Sequence, residues 1–201
     1  MGERDDGTLI NTYGDRLIEE ELSFEPAGLG RFLREDSSGL AGDDSFGFFA
    51  YSYARAFEVL FEAAMKRPHH PMLMHPLLLL CRHSIELSLK EGLRQLATFN
   101  GGSERKITHN LETLWAQLRA ALREAGLEAD DDYTALCTEA VTLLHGHDLR
   151  GDRFRYPEST TGFAFASTLT DLDGLFKAHH RVTTYCGSIG DMLAEMSPPA
   201  Y

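Results

Sequence analysis

From Ser45 onward, apolar residues recur at helical spacing. Phe48, Phe49, Tyr51, Ala54, Phe57, Leu60, Phe61 and Ala64 line one helix that Asp44 or Ser45 can cap. That helix must end near Arg67, because Pro68 disfavours helical geometry before it. A second helix, with Pro76 suited to its first turn, runs to about Thr98 and stops at the Asn-Gly-Gly of 100–102. A third opens at "THNLETLW", with Thr108 or His109 near its cap, and continues to about Ala125. A fourth follows the acidic stretch 130–132, with Tyr133, Leu136, Cys137, Ala140, Val141 and Leu144 on one stripe. The pattern then breaks. Residues 147–167 mix Gly, Pro and alternating aromatics, as in an extended excursion with a short strand pair. A last long helix carries Leu172, Leu175, Phe176, Val182, Tyr185, Ile189, Met192, Leu193 and Met196. The expected fold is all-α: an antiparallel up-and-down bundle of about five helices, with a short extended insertion before the last.

Residues 1–46 are different. They are rich in Gly, Asp and Glu and hold twelve acidic against four basic residues, so most of the net charge of −12 lies there. They are expected to form an acidic, partly ordered arm ahead of a helical domain at 47–201. An acidic chain does not suit wide contact with a polyanion, which needs many phosphate partners, but it leaves room for a local basic site. The longest uncharged apolar run, Met72–Cys81, is too short to cross a bilayer, so no membrane partner is expected. Three cysteines without a close pair suggest reduced thiols in a cytoplasmic protein.

The second helix poses the main chemical question. At about 100° per residue, Arg82 falls among Leu78, Ile85, Leu89, Leu93 and Leu96. Glu86 lies at the edge of that stripe, and Lys90 lies outside it and is expected in solvent. A buried guanidinium is costly unless paired. Either Glu86, at i+4, pairs with it inside the bundle, or Arg82 lines a cleft and offers its planar fork to an anion. On the last helix, His179 shares the apolar face and is expected in the core, whereas His180 points away. "LRGDRFRYP" is the densest basic and aromatic patch, with Arg150, Arg153 and Arg155 beside Phe154 and Tyr156. Such a patch can hold phosphates and stack bases. Equally, its aromatics can seal the bundle while its arginines pair with carboxylates. His69, His70 and His75, and the pair His145 and His147 beside Asp148, have no companion at metal-ligand spacing, so neither a metal nor a cofactor is expected. No phosphate-binding glycine loop, nucleophile elbow or H-E-x-x-H occurs.

Three stretches, "RHSIELSLK" at 82–90, "THNLETLW" at 108–115 and "FRYPESTTG" at 154–162 ahead of a long final helix, together resemble HEPN-like proteins. The match is to a prokaryotic branch with R-x-x-x-E-L-x-L-K, T-H-N-L and R-Y-P motifs, and it covers about residues 48–196. The resemblance implies an all-α bundle that forms a homodimer and works in bacterial defence or toxin–antitoxin systems, with RNA, a nucleotide or a cognate protein as partner. Some members are metal-independent ribonucleases. By position, the resemblance points to Arg82, Glu86, Lys90, His109, Arg155, Tyr156 and Pro157. The binding candidates are thus Arg82, Glu86, His109, Arg153, Arg155 and Tyr156. The R-x(4–6)-H signature of the ribonuclease members is absent, so whether the chain is an enzyme stays open. A rearranged Arg/His ribonuclease site and a purely structural, partner-binding protein are the alternatives.

Overall fold

The computed structural model describes residues 45–66, 71–102, 108–159, 161–165 and 171–196. The acidic arm, with Asp44, lies outside them, as do His69 and His70. The described residues form five helices: α1 Phe46–Lys66, α2 Pro71–Phe99, α3 Leu111–Glu124, α4 Asp132–His147 and α5 Leu172–Met196. The chain is an all-α bundle, and the described residues contain no strand.

Local chemistry sets the ends of these elements. Ser45 Oγ accepts the Phe48 N–H at 3.1 Å and starts α1. α2 begins at Pro71, so Pro76 falls inside the helix instead of in its first turn. Asn110, one or two residues beyond the expected positions, caps α3 by accepting from Thr113 N–H at 2.8 Å. Asp131 does the same for α4 through Thr134 N–H. Each cap satisfies an amide that has no partner within its own helix.

α2 is the central helix, packing against α1, α3 and α5. α1 runs antiparallel to it, as the contacts of Gly47 with Glu91 and Tyr53 with His83 require. α3 does not turn back. His109 lies against Arg82, and Leu118 against Gly92, so α3 runs in the same direction as α2. The three other steps between successive helices are antiparallel, and the 100–110 connection is the exception to an up-and-down path. Phe57, Leu77, Ile85, Leu89, Leu96, Leu111, Leu114, Leu118, Leu122 and Ile189 are fully buried and form one core. Each contributes about 1.5–3 kcal/mol of transfer free energy. His179 is in that core and His180 is exposed, as their helical positions predict. Cys81, Cys137 and Cys186 are buried and unbridged.

The insertion after α4 is held by turns. Arg155 and Tyr156 both donate their N–H groups to the Asp152 carbonyl. In place of a strand pair there is one antiparallel bridge, Glu158 to Ala164, closed by Ser159 N–H to Phe163 O at 2.9 Å. Phe154 is buried and anchors this loop to the bundle, while Phe163 is 76% exposed at the turn.

Candidate functional site

Arg82 is 1% exposed, and each edge of its guanidinium faces an acceptor. Nη1 donates to Glu86 Oε2 at 2.8 Å and Nη2 donates to the His109 carbonyl at 2.8 Å. Nε faces Asp148 Oδ2 at 3.1 Å, an ion pair set off the straight hydrogen-bond line. Gly151 covers the flat side. A Cβ there would lie 3.2 Å from Arg82 Cζ, and its φ of +78° suits glycine. The internal ion pair is therefore the arrangement found at Arg82. The partners come from three places: α2 itself, the approach to α3 and the loop after α4.

Glu86, also 1% exposed, is the second hub. Besides Arg82 it accepts from Lys90 Nζ at 2.7 Å and pairs with His109 Nδ1 at 2.8 Å. Burial alone would push its carboxyl pKa up. Lys90, then His109 and Arg82, outweigh burial and hold the carboxyl below its ordinary value. Lys90 corrects an expectation. Its helical angle points it away from the leucine stripe, yet it is 6% exposed, because its long stem bends one turn back to the buried carboxylate. Two cations, Arg82 and Lys90, balance two carboxylates, Glu86 and Asp148. Such balance is what keeps buried charge tolerable.

His109 joins this interior to the surface. Its Nδ1 is fixed on Glu86, while its side chain is 78% exposed. An ionised carboxylate can only accept, so Nδ1 carries a proton, and the tautomer this selects has Nε2 as its acceptor.

His83 is half-buried beside this site, with its ring edge-on to Tyr53 at 4.5 Å between centroids. Burial lowers its pKa. Glu86 opposes that shift, and Arg155, Lys90 and Arg82 add to it, which places Arg155 within electrostatic reach of the same ring. Arg155 is exposed and Tyr156 is 61% exposed. Arg153 is half-buried. Its Nη1 donates to the His147 carbonyl at 3.1 Å, its N–H donates to Asp148 Oδ1 at 3.1 Å, and its guanidinium stands 5.8 Å from the Phe165 ring. Of the six candidates, Arg82 and Glu86 are thus interior, Arg153 is committed to the loop, and His109, Arg155 and Tyr156 face outward. Asp148 and His83 were missed as members of the group. The sequence signal for His83 was its place next to Arg82. Asp148 offered only its place just past a helix end.

Among the described residues no group of three or more His, Cys, Asp or Glu is placed to hold a metal ion. His145 is engaged by Asn110 at 3.2 Å, and His147 and His75 are exposed. Among the described residues no helix is long and apolar enough to cross a membrane. Comparison with family models, curated proteins and solved structures finds no match to this chain.

Proposed function

We propose that this is a HEPN-like protein that binds RNA or a nucleotide on the face formed by His109, Arg155 and Tyr156. In this reading it acts in a bacterial defence or toxin–antitoxin setting, as a homodimer or with a cognate protein. Arg82, Glu86, Lys90 and Asp148 form the frame beneath the face and do not touch the ligand. The observation that carries the reading is the exposed His109 ring pinned at one nitrogen by a buried carboxylate. An exposed side chain gains nothing for packing from being held so firmly, whereas a ligand contact does. Arg155 supplies positive charge for a phosphate, and Tyr156 an accessible ring on which a base can stack.

The Glu86–His109 pair also favours a second reading, a metal-independent endoribonuclease. A carboxylate that fixes the tautomer of an imidazole prepares it for proton transfer. His109 Nε2 would take the proton of a ribose 2′-hydroxyl as that oxygen attacks the adjacent phosphorus. The P–O5′ bond breaks, leaving a cyclic phosphate and, once a proton is returned, a 5′-hydroxyl.

One experiment separates these readings. Labelled single-stranded RNA and ATP are incubated with the chain, with Arg155→Ala/Tyr156→Ala and with His109→Ala, all in chelator. Binding that falls at least tenfold in the double variant supports the first reading. Chelator-resistant cleavage lost in His109→Ala with binding retained supports the second. Equal binding by all three proteins without cleavage, or no binding by any, overturns both.

A further inference from the structure

A cleft of about 430 Å³ runs between α1, α2 and α5, away from the residues of the proposed RNA face. Gly47, Ala50, Tyr51, Ala54 and Glu58 line it from α1, at the spacing of one helical stripe. Such a stripe makes a slot along the helix axis rather than a round hole. Small residues, Gly47, Ala50, Ala54, Ser88 and Gly187, keep the slot open, and no Lys or Arg is among the described residues that line it.

The carboxylates sit toward its two ends. At one end Gly47 lies against Glu91, with a would-be Cβ 3.5 Å from the carboxylate carbon. Glu91 Oε1 accepts from Gln95 Nε2 at 2.9 Å. Glu91 Oε2 and Gln95 Oε1 are both buried and accept no hydrogen bond from any described residue. Arg94 Nη1 pairs with Glu91 Oε2 at 4.0 Å, a long ion pair that supplies charge but no hydrogen bond. Two acceptors without donors beside a negative charge call for a ligand that brings N–H groups and positive charge. Eleven residues along α1, on the order of 16 Å at the helical rise, stands the second carboxylate, Glu58. Its ionic partner among the described residues is Arg55 at 2.7 Å, an exposed i, i+3 pair of the kind that contributes little and is readily exchanged. Thr183, Thr184 and the exposed His180 of α5 line the length between.

We propose that this cleft binds a linear aliphatic polyamine, with one ammonium at Glu91 and Gln95, another near Glu58, and the methylene chain along the small-residue floor. The net charge of −12 favours approach of such a cation from a distance, and the carboxylate spacing selects among cations by length.

The test is calorimetric titration of the full chain with spermine, and separately with n-butylamine, which can satisfy only one end. Spermine should show one saturable site, and n-butylamine should not saturate at the same concentrations. Glu91→Gln should bind spermine at least tenfold more weakly. Gly187→Leu should do the same for a different reason. A Cβ at Gly187 meets nothing within 4 Å, so the leucine extends into open space without disturbing the helix. Glu139→Gln, which removes an exposed carboxylate of α4 outside the cleft, should bind as the parent does. Thermal melts of each variant check the fold. Absence of a saturable site overturns the proposal. So does equal weakening by Glu139→Gln, which marks diffuse attraction to an acidic chain. Unchanged binding by Gly187→Leu places the polyamine outside the slot and overturns it as well.

Discussion

Arg82 and Ser84 sit two residues apart in α2, both buried but on different faces of that central helix, and the fold satisfies them in different ways. Ser84 is neutral. Its hydroxyl donates to the Cys81 carbonyl at 3.0 Å and lies 2.8 Å from His179 Nε2, and both groups are buried among apolar side chains. One cross-helix contact suffices, because a hydroxyl and a neutral imidazole leave few unmet hydrogen bonds. Arg82 is charged and needs carboxylates, and one helix cannot supply them all. Asp148 must come from the end of α4, and the His109 carbonyl from the approach to α3. The neutral pair ties α2 to α5 at one point. The charged one gathers three segments and ends at an exposed imidazole. Buried charge here organises a surface, whereas the buried neutral pair only joins two helices.

The largest expected effect comes from breaking the charged side. Arg82→Met leaves Asp148 buried without the guanidinium that faces it and takes from Glu86 one of its cations, and should cost about 3–5 kcal/mol in chemical denaturation. A loss below about 1 kcal/mol would mean that the network is not closed as described. Acid should next separate the two sides. Burial pushes the His179 pKa down to about 4 from the ordinary 6.5, with His180 adding to the effect. The folded chain therefore binds that proton more weakly than the unfolded chain does. Stability is full above pH 6.5 and falls as pH drops toward 4, by on the order of 3 kcal/mol from this group. His83, also lowered, adds to the same slope. Glu86, held below its ordinary value, contributes stability that is lost only at more acid pH. His179→Leu should flatten the slope between pH 6.5 and 4 while leaving the acid limb below it. The Ser84 hydroxyl keeps its bond to the Cys81 carbonyl in that variant.

Gly151→Ala is a smaller and sharper probe of the charged side. It combines a strained φ with a Cβ 3.2 Å from the guanidinium, and should cost about 1–3 kcal/mol, read as a lowered melting temperature. The smallest effect expected is that of Asn110→Ala, about 1 kcal/mol from loss of the α3 cap. It should leave the pH slope of the neutral side unchanged, which a denaturation series across pH checks.

Helix placement, the inward face of Arg82 and its partner at i+4 were legible because each follows from local periodicity. The same periodicity put His179 inside and His180 outside. Lys90 was misplaced because a helical wheel locates a Cβ, whereas a four-carbon stem can carry its charge back to a carboxylate one turn away. Asp148 was not legible as a partner of Arg82, since the two are joined only by the way α3 and α4 return alongside α2. That same return, with α3 running in the direction of α2, leaves no mark in hydrophobic spacing. The outward face was legible as residue types, Arg155 and Tyr156 beside a proline. Which of the basic residues stays in solvent was decided by tertiary partners, such as the His147 carbonyl that holds Arg153.

The central claim is that a sealed arginine–carboxylate frame holds an open histidine in one tautomer. Nitrogen-detected NMR of the histidine side chains at pH 7.5 measures this directly. The account predicts a His109 proton held on Nδ1, in slow exchange with water, and loss of that signal in Glu86→Gln while the helical spectrum persists. A His109 ring protonated mainly on Nε2, exchanging as fast as a free imidazole and indifferent to Glu86→Gln, would contradict it.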